Sequence, residues 1–339
     1  MIDYKSSGVD IEAGDAVKAR IAEMVRSTYT DYVLTSGGEF AGLIQLQGCD
    51  DAIAVSVDGV GTKLKVAVMA DVHNTVGQDL VNHCVNDLAV VGCEPFCFVD
   101  YIAVGRLNDH VVTQIIEGLC EGCRENGVAL IGGETAQMPD MYSEGEYDLA
   151  GAIVGRINPA KQFPKDSIAP GDQLIGVASN GLHTNGYSLA RKIVFEEKKF
   201  AVDTYDESIG CTWGEELLKV HRSYLRLIRE LKEMPGVKAF AHITGGGIPG
   251  NLSRVIPEYC DAVIEANKIQ VNSVFSVLTE YADISFTEAY KVFNMGVGLI
   301  IVASSDQADL VVEKANNFDS SYNIGFLDKS EGISRVIFR

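Results

Sequence analysis

Ala52-Ile53-Ala54-Val55-Ser56-Val57-Asp58-Gly59-Val60-Gly61-Thr62-Lys63 is the stretch whose reading decides the fold. Its first six residues, Ala52 to Val57, are apolar and rich in β-branched side chains, which predicts a strand. The strand ends in an acid and enters a glycine-rich turn. Glycines let backbone N–H groups come close to an anion. Lys63 could neutralise a phosphate, and Asp58 at the strand end could hold a hard cation through its carboxylate. The spacing is not the G-x-x-x-x-G-K-[ST] of a P-loop. Taken alone, the segment is equally well explained as a β-turn carrying a solvated aspartate and lysine.

Working outward, strand-like runs alternate with amphipathic ones. Val76–Val91 and Asp109–Glu125 read as helices; Phe96–Val104, Val128–Ile131 and Tyr147–Arg156 read as strands. Asn158 to Gly171 holds Pro159, Pro164 and Pro170 and no helical period, so it reads as a connection between domains. Beyond it, Gln173–Ala178, Ala239–Ile243, Asp261–Glu265, Val297–Ala303 and Asn323–Phe326 read as strands. Gly186–Lys199, with Asn185 as its cap, Trp213–Lys232 and Asp306–Asn317 read as helices. The class expected is α/β (α+β) in two domains, residues 1–170 and 171–339.

The bulk composition narrows the function. The 339 residues are 47% hydrophobic, enough for two cores. The 28 basic against 47 acidic residues give a net charge of −19, which repels a phosphate backbone and argues against nucleic acid. A small phosphorylated ligand is still admissible, because metal ions and backbone N–H groups can carry it. No apolar run reaches membrane-span length, and Met1 to Gly14 lacks a signal-peptide core, so no membrane partner and a cytoplasmic location are expected. The 8 cysteines read as reduced thiols.

Further segments carry chemistry. Asp79, His83 and Asn86 share one face of a helix that also holds Asp87. A metal or a ligand amide would satisfy such a polar face, and so would solvent. Leu130-Ile131-Gly132-Gly133-Glu134-Thr135-Ala136 ends a strand in two glycines and an acid, where ligands sit in α/β sheets. Asp58, Asp87 and Glu134 could together supply oxygen ligands to nucleotide-bound Mg²⁺. Ser179 to Ser188 places His183 and Asn185 before a helix, which suits an anionic substrate or, equally, a cap with a surface histidine. Gly245, Gly247 and Gly250 satisfy G-x-G-x-x-G after a strand, but no strand-borne acid follows about 20 residues on, so a dinucleotide is rejected. Cys93, Cys97, Cys120 and Cys123 lack a histidine to complete a zinc set.

In order and spacing these blocks resemble one family, the phosphoribosylformylglycinamidine cyclo-ligases (aminoimidazole ribonucleotide synthetases). The resemblance runs from Tyr4-Lys5-Ser6-Ser7-Gly8-Val9-Asp10-Ile11 through Ser56–Lys63, Asp79–Asp87, Gly92-Cys93-Glu94-Pro95, Gly132–Ala136, Met138–Tyr142 and Gly145–Gly151. It continues in Ser179–Ser188, Ala241–Gly247 and Phe293-Asn294-Met295-Gly296. The family shares an ATP-binding superfamily with formylglycinamidine ribonucleotide synthetase, thiamine-phosphate kinase and selenophosphate synthetase. The chain departs from the family pattern at Ser7, Val220-His221-Arg222, Pro249-Gly250-Asn251, Gln270-Val271-Asn272 and Val292. No cysteine lies in the N-terminal loop, as selenophosphate synthesis requires, and none ends the chain, as hydrogenase maturation requires.

The resemblance implies a homodimer whose N-terminal sheets pair, with a C-terminal domain completing the active site. It implies ATP and Mg²⁺ as cofactors, K⁺ as an optional ion, and formylglycinamidine ribonucleotide as substrate. Asp58, Asp87 and Glu134 are then expected on the metal, with Asn86 in support. Lys5, Gly59, Gly61, Thr62, Lys63, Gly132, Gly133, Thr135, Gly245, Gly246 and Gly247 are expected on the nucleotide. His183, Asn185 and His242 are expected to bind substrate or move protons. A small-molecule kinase of the same superfamily is the alternative, and a non-catalytic scaffold a second.

Overall fold

The computed structural model describes residues 5–9, 11–35, 37–332 and 335–339; Tyr4 and Asp10 of the opening block lie outside the described residues. The first half contains α1 (Ile11–Arg26), β1 (Gly42–Gln45), β2 (Ala52–Gly59), α2 (Lys63–Ala70), α3 (Asn74–Val90), β3 (Glu94–Val104), α4 (Asp109–Asn126), β4 (Ala129–Gln137) and β5 (Tyr147–Ile157). Its strands form one sheet in the order β1-β2-β5-β3-β4, antiparallel except for the β3–β4 edge. Alternation decides the faces. Ala52, Ala54 and Ser56 are buried on the side of the sheet that carries α3, while Val55 and Val57 point to the opposite, open side.

α3 packs on this sheet and against α4. The two helices meet at glycines: a Cβ at Gly77 would lie 2.4 Å from the Leu119 nitrogen, and one at Gly118 would lie 2.1 Å from the Asn74 carbonyl oxygen. α4 starts where the Asn108 side chain accepts from the His110 and Val111 N–H groups, and ends at Gly127 with φ 68°.

The second half contains β6 (Gln173–Ala178), α5 (Tyr187–Arg191, continued by a π-helical turn to Glu197), β7 (Tyr205–Asp206), β8 (Cys211–Thr212), α6 (Trp213–Leu217), α7 (Leu225–Leu231) and β9 (Val237–His242). There follow α8 (Gly247–Leu252), β10 (Cys260–Ile264), α9 (Ser273–Ala282), α10 (Phe286–Val292), β11 (Val297–Ala303), α11 (Ala308–Ala315), β12 (Ser321–Lys329) and β13 (Val336–Phe338). Its sheet runs β13-β10-β12-β6-β11-β9 and is antiparallel except for β10–β13. The molecule is thus a mixed α/β protein with two sheets, one in each half.

One expected helix is broken. Trp213–Lys232 has no internal proline, yet residues 218–224 leave the helical path between α6 and α7. The cause lies on α3. Asp79 accepts from the His221 N–H (2.7 Å), Asn82 donates to the His221 carbonyl (2.8 Å), and Asn86 donates to the Arg222 carbonyl (2.8 Å) and accepts from the Tyr224 N–H (2.8 Å). These side chains take over backbone partners that a continuous helix would have supplied. The polar face of α3 is therefore buried against the second half, and solvent does not satisfy it. Asn185 also differs from expectation. The residue that caps α5 is Gly186, in a left-handed conformation, and the Asn185 side chain lies instead beside Gly245.

Candidate active site

The site is built where the end of β2, the buried face of α3, the loops after β6 and α6, and the end of β9 converge. Asp58 is the last side chain of β2 and points to the α3 side. Its Oδ1 lies 3.7 Å from His83 Nε2, and its carboxyl is 28% exposed, so it stands at the mouth. Asp87, one turn along α3 from His83, is nearly closed off and takes a 2.7 Å hydrogen bond from His242 Nδ1 at the end of β9. Burial raises the Asp58 carboxyl to about 6; the His83 charge opposes the rise and the neighbouring Asp87 adds to it. Burial works to raise Asp87 too, but the hydrogen bond and charge of His242, with His83 and Arg254, outweigh it and hold the group below its ordinary value. Two carboxyls that repel each other beside an open mouth form a place suited to positive charge.

Histidines line the interior side. His242 Nε2 lies 3.0 Å from His221 Nε2, and the Thr184 hydroxyl lies 3.2 Å from His221 Nδ1 and 3.0 Å from His83 Nδ1. The His183 ring stacks on His221 with centroids 4.2 Å apart, and its Nε2 meets Asn180 Oδ1 at 3.0 Å. Burial, reinforced by neighbouring positive groups, pushes His183 and His221 well below the ordinary histidine value. His242 is lowered less, because Asp87 opposes its burial. Burial thus favours the neutral imidazole in His183 and His221, which act as hydrogen-bonding groups.

The expected residues divide into those the structure brings together and those it does not. Asp58, Asn86, Asp87 and His242 share this region. Asn86 Nδ2 lies 3.3 Å from His221 Nε2 and 3.4 Å from His242 Nε2. Gly59, Gly61 and Thr62 are exposed at the mouth, and the Thr62 hydroxyl reaches Ser188 across the two halves at 3.0 Å. Gly245 and Gly246, next to Asn185, edge the same entrance from the second half, while Gly247 is buried with φ 61°. His183 and His242 are 1% and 0% exposed, so both face the interior and not the open cleft.

Lys63 requires a correction. Its ammonium is fully buried and donates to Asp79 (2.8 Å) and to the His183 (3.3 Å) and Lys219 (2.7 Å) carbonyls. Burial pushes Lys63 down and Asp79 up, and each is opposed by its partner. With all three N–H groups paired, the ammonium joins the two halves and has no donor left for a phosphate.

Glu134 is the second correction. Along one row of the sheet Asp58 pairs with Gly151, Gly151 with Asp100 and Asp100 with Gly133. A Cβ on Gly133 would touch the Asp100 carboxylate, so Gly133 faces the helix side and Glu134, the next residue, faces the open side. Three strand spacings, roughly 14 Å, also intervene. Within one chain, then, Asp58 and Asp87 converge and Glu134 does not. Gly132 and Thr135 lie exposed on the same edge strand, and Lys5 is exposed at the start of the 3₁₀ turn Lys5–Ser7.

Sequence reasoning gave no site role to four residues. Arg254, just after α8, stacks on Phe40 (4.9 Å) and its charge lowers both Asp58 and Asp87. His83 was visible only as part of the α3 stripe, and His221 only as a departure inside a presumed helix. Thr184, which joins those two rings, carries no motif of its own.

Comparison with known proteins follows the same outline. Residues 38–157 match the family described as AIR synthase related protein, N-terminal domain, and residues 169–337 match its C-terminal domain. The chain is 42% identical to a phosphoribosylformylglycinamidine cyclo-ligase of Syntrophus aciditrophicus, over 97% of this chain and 96% of that one. It is 46% identical to the one of Thermodesulfovibrio yellowstonii, over 90% of each. Among solved structures, thiamine-monophosphate kinase from Stenotrophomonas maltophilia K279a shares the fold at TM-score 0.61 and 18% identity, over 94% of each chain. E. coli HypE, a hydrogenase maturation protein, does so at TM-score 0.61 and 18% identity, over 84% of this chain and 82% of that one. Two matching domains and relatives similar along nearly the whole length place it: the chain belongs to the phosphoribosylformylglycinamidine cyclo-ligase family.

Proposed function

We propose that this chain is an ATP-dependent ligase that closes the imidazole ring of purine biosynthesis. It converts formylglycinamidine ribonucleotide and ATP to aminoimidazole ribonucleotide, ADP and phosphate. The observation that carries the reading on this chain's own residues is the Asp58–Asp87 pair between the two halves, set behind the exposed glycine turn Gly59–Thr62.

The chemistry explains the need for that pair. A formyl oxygen is a poor leaving group. Transfer of the γ-phosphoryl group to that oxygen makes it a good one. The amidine nitrogen then attacks the same carbon, phosphate departs, and the ring closes. Mg²⁺ bound with the nucleotide would screen the triphosphate charge. Asp58 and Asp87 would hold it, and their mutual repulsion fits a cation between them. Gly59, Gly61 and Thr62 at one rim and Gly245 and Gly246 at the other would offer backbone N–H groups to phosphates. Asn185, beside Gly245, would meet the substrate. Asn86, His221 and His242 hold the interior wall in one arrangement, so that the carboxylates keep their orientation.

Glu134 and its open sheet face are read differently. The face carries Val57, 66% exposed, with Val55 and Tyr101, and a second copy of the chain covering it would make the homodimer. Glu134 would then lie at or near that interface. No helix among the described residues is long and apolar enough to cross a membrane.

The test is a coupled assay with formylglycinamidine ribonucleotide and Mg·ATP. One aminoimidazole should form for each ADP released. ADP without an aminoimidazole, or phosphate retained on the product, would favour the kinase alternative.

A further inference from the structure

Among the described residues, His83, Asp87 and His242 each offer a donor atom within 4.8 Å of the other two, and all three side chains are buried. From this we infer a second cation specificity in the cleft: a nitrogen-containing site for a first-row transition ion of the Zn²⁺ class, formed by His83, His242 and Asp87 with Asp58 at its open side. The inference rests on reading Asp87 as a cation ligand and extends it from a hard ion held by oxygens to a borderline ion held by two imidazoles and a carboxylate.

The orientation of the rings supports it. His242 presents Nδ1 to Asp87 at 2.7 Å, and His83 presents Nε2 to Asp58 at 3.7 Å. The opposite nitrogen of each ring is already held from behind. His83 Nδ1 meets the Thr184 hydroxyl at 3.0 Å, and His242 Nε2 meets His221 Nε2 at 3.0 Å. One tautomer set satisfies all of these hydrogen bonds: His242 Nδ1–H donates to Asp87, His221 Nε2–H to His242 Nε2, the Thr184 hydroxyl to His221 Nδ1, and His83 Nδ1–H to the Thr184 oxygen. The His83 Nε2 lone pair then faces the Asp58 carboxyl at 3.7 Å with no proton between them, and an ion bound there would take the Asp87 side of His242 in exchange for the Nδ1 proton. Outer partners that fix the far nitrogen of a ligating histidine are the usual support of a metal site. Donors about 2.1 Å from a common ion stand roughly 3–3.5 Å apart, so side-chain rotation of about 1 Å closes the site.

The consequence is mechanical as well as chemical. His83 and Asp87 belong to α3 in the first half, and His242 ends β9 in the second. An ion shared among them would tie the halves together and stabilise the folded chain by mass action.

The probe is Co²⁺ added to chelator-treated, nucleotide-free protein, read by visible d–d absorption and by thermal unfolding. The expected result is one equivalent bound, with a rise in Tm, displaced by Zn²⁺ and not by a large excess of Mg²⁺. His83→Gln and His242→Gln should each weaken binding tenfold or more. Thr184→Val, which removes only the outer partner, should weaken it about tenfold. Should those variants fold poorly, pulsed EPR of the Mn²⁺-loaded wild-type protein gives the same answer through imidazole nitrogen couplings. Absence of stoichiometric Co²⁺ binding, displacement by Mg²⁺, or a Co²⁺ spectrum unchanged in both histidine variants would overturn the inference. Ring closure assayed in parallel with Mg·ATP separates the two ideas. Activity without Co²⁺ binding sinks this inference alone, whereas Co²⁺ binding without ring closure sinks the proposed function and leaves the site standing.

Discussion

Asp58 shows how a single side chain can work against the fold for the sake of its chemistry. Its carboxyl titrates at about 6 in the folded protein against an ordinary 3.8. The folded state therefore binds more protons than the unfolded state between those values. Stability falls as pH rises from about 4 through 6, and the charged form costs roughly 3 kcal/mol at neutral pH in the cation-free protein. Asp58→Asn removes the charge, so the variant should melt higher than wild type at pH 7.5. The difference should shrink toward pH 4. The same substitution should lower turnover with Mg·ATP by about a hundredfold or more, as expected for loss of electrostatic stabilisation. A variant that melts lower, or that turns over at the wild-type rate, would remove Asp58 from the cation-binding role. Asp58 was legible in the sequence because a strand-end acid before a glycine turn is a local pattern. Lys63, five residues on, was misread for the converse reason: its partner Asp79 lies on the next helix, α3, and no local pattern shows that the ammonium turns inward.

At the scale of elements, α3 organises the molecule. Its Asp79, Asn82 and Asn86 serve as partners for the backbone of residues 221–224, and Asp79 also holds the Lys63 ammonium. Removing one member of a buried pair leaves an uncompensated charge. Asp79→Ala should cost about 3–5 kcal/mol, measured by the urea midpoint, with binding weakened only as a consequence of unfolding. A loss under about 1 kcal/mol would mean that water or another group can replace the carboxylate. The strands β2, β3, β5, β6 and β11 were read close to their observed positions, because apolar runs bounded by glycine or proline leave little ambiguity. The break between α6 and α7 was not legible. Local propensity in Trp213–Lys232 favours a helix throughout, and the competing hydrogen bonds come from residues more than a hundred positions away.

At the scale of the whole molecule, the open face of the first sheet is the unbalanced feature. The side carrying α3 is buried, while Val55, Val57 and Tyr101 remain exposed on the other. If a second copy covers this face, Val57→Asp should place a desolvated charge in the interface. Sedimentation velocity should then show the wild type as a dimer and the variant as a monomer of near-native secondary structure. A monomeric wild type, or a variant that still dimerises, would reject this face as the interface. The division into two α/β halves, each with its own sheet, was legible from the alternation of strand-like and helical runs on both sides of the chain's middle. The placement of Glu134 was not, because strand order and register, which put it on the far face, are properties of the folded sheet.

The central claim is that the carboxylate pair in the cleft serves phosphoryl transfer to a formyl oxygen followed by ring closure. It is tested most directly by giving the enzyme formylglycinamidine ribonucleotide labelled with ¹⁸O in the formyl group, together with unlabelled Mg·ATP, and analysing the released phosphate by mass spectrometry. The account predicts one ¹⁸O atom in each phosphate for each aminoimidazole formed. Unlabelled phosphate accompanying ring formation, or phosphate that stays on the product, would contradict it.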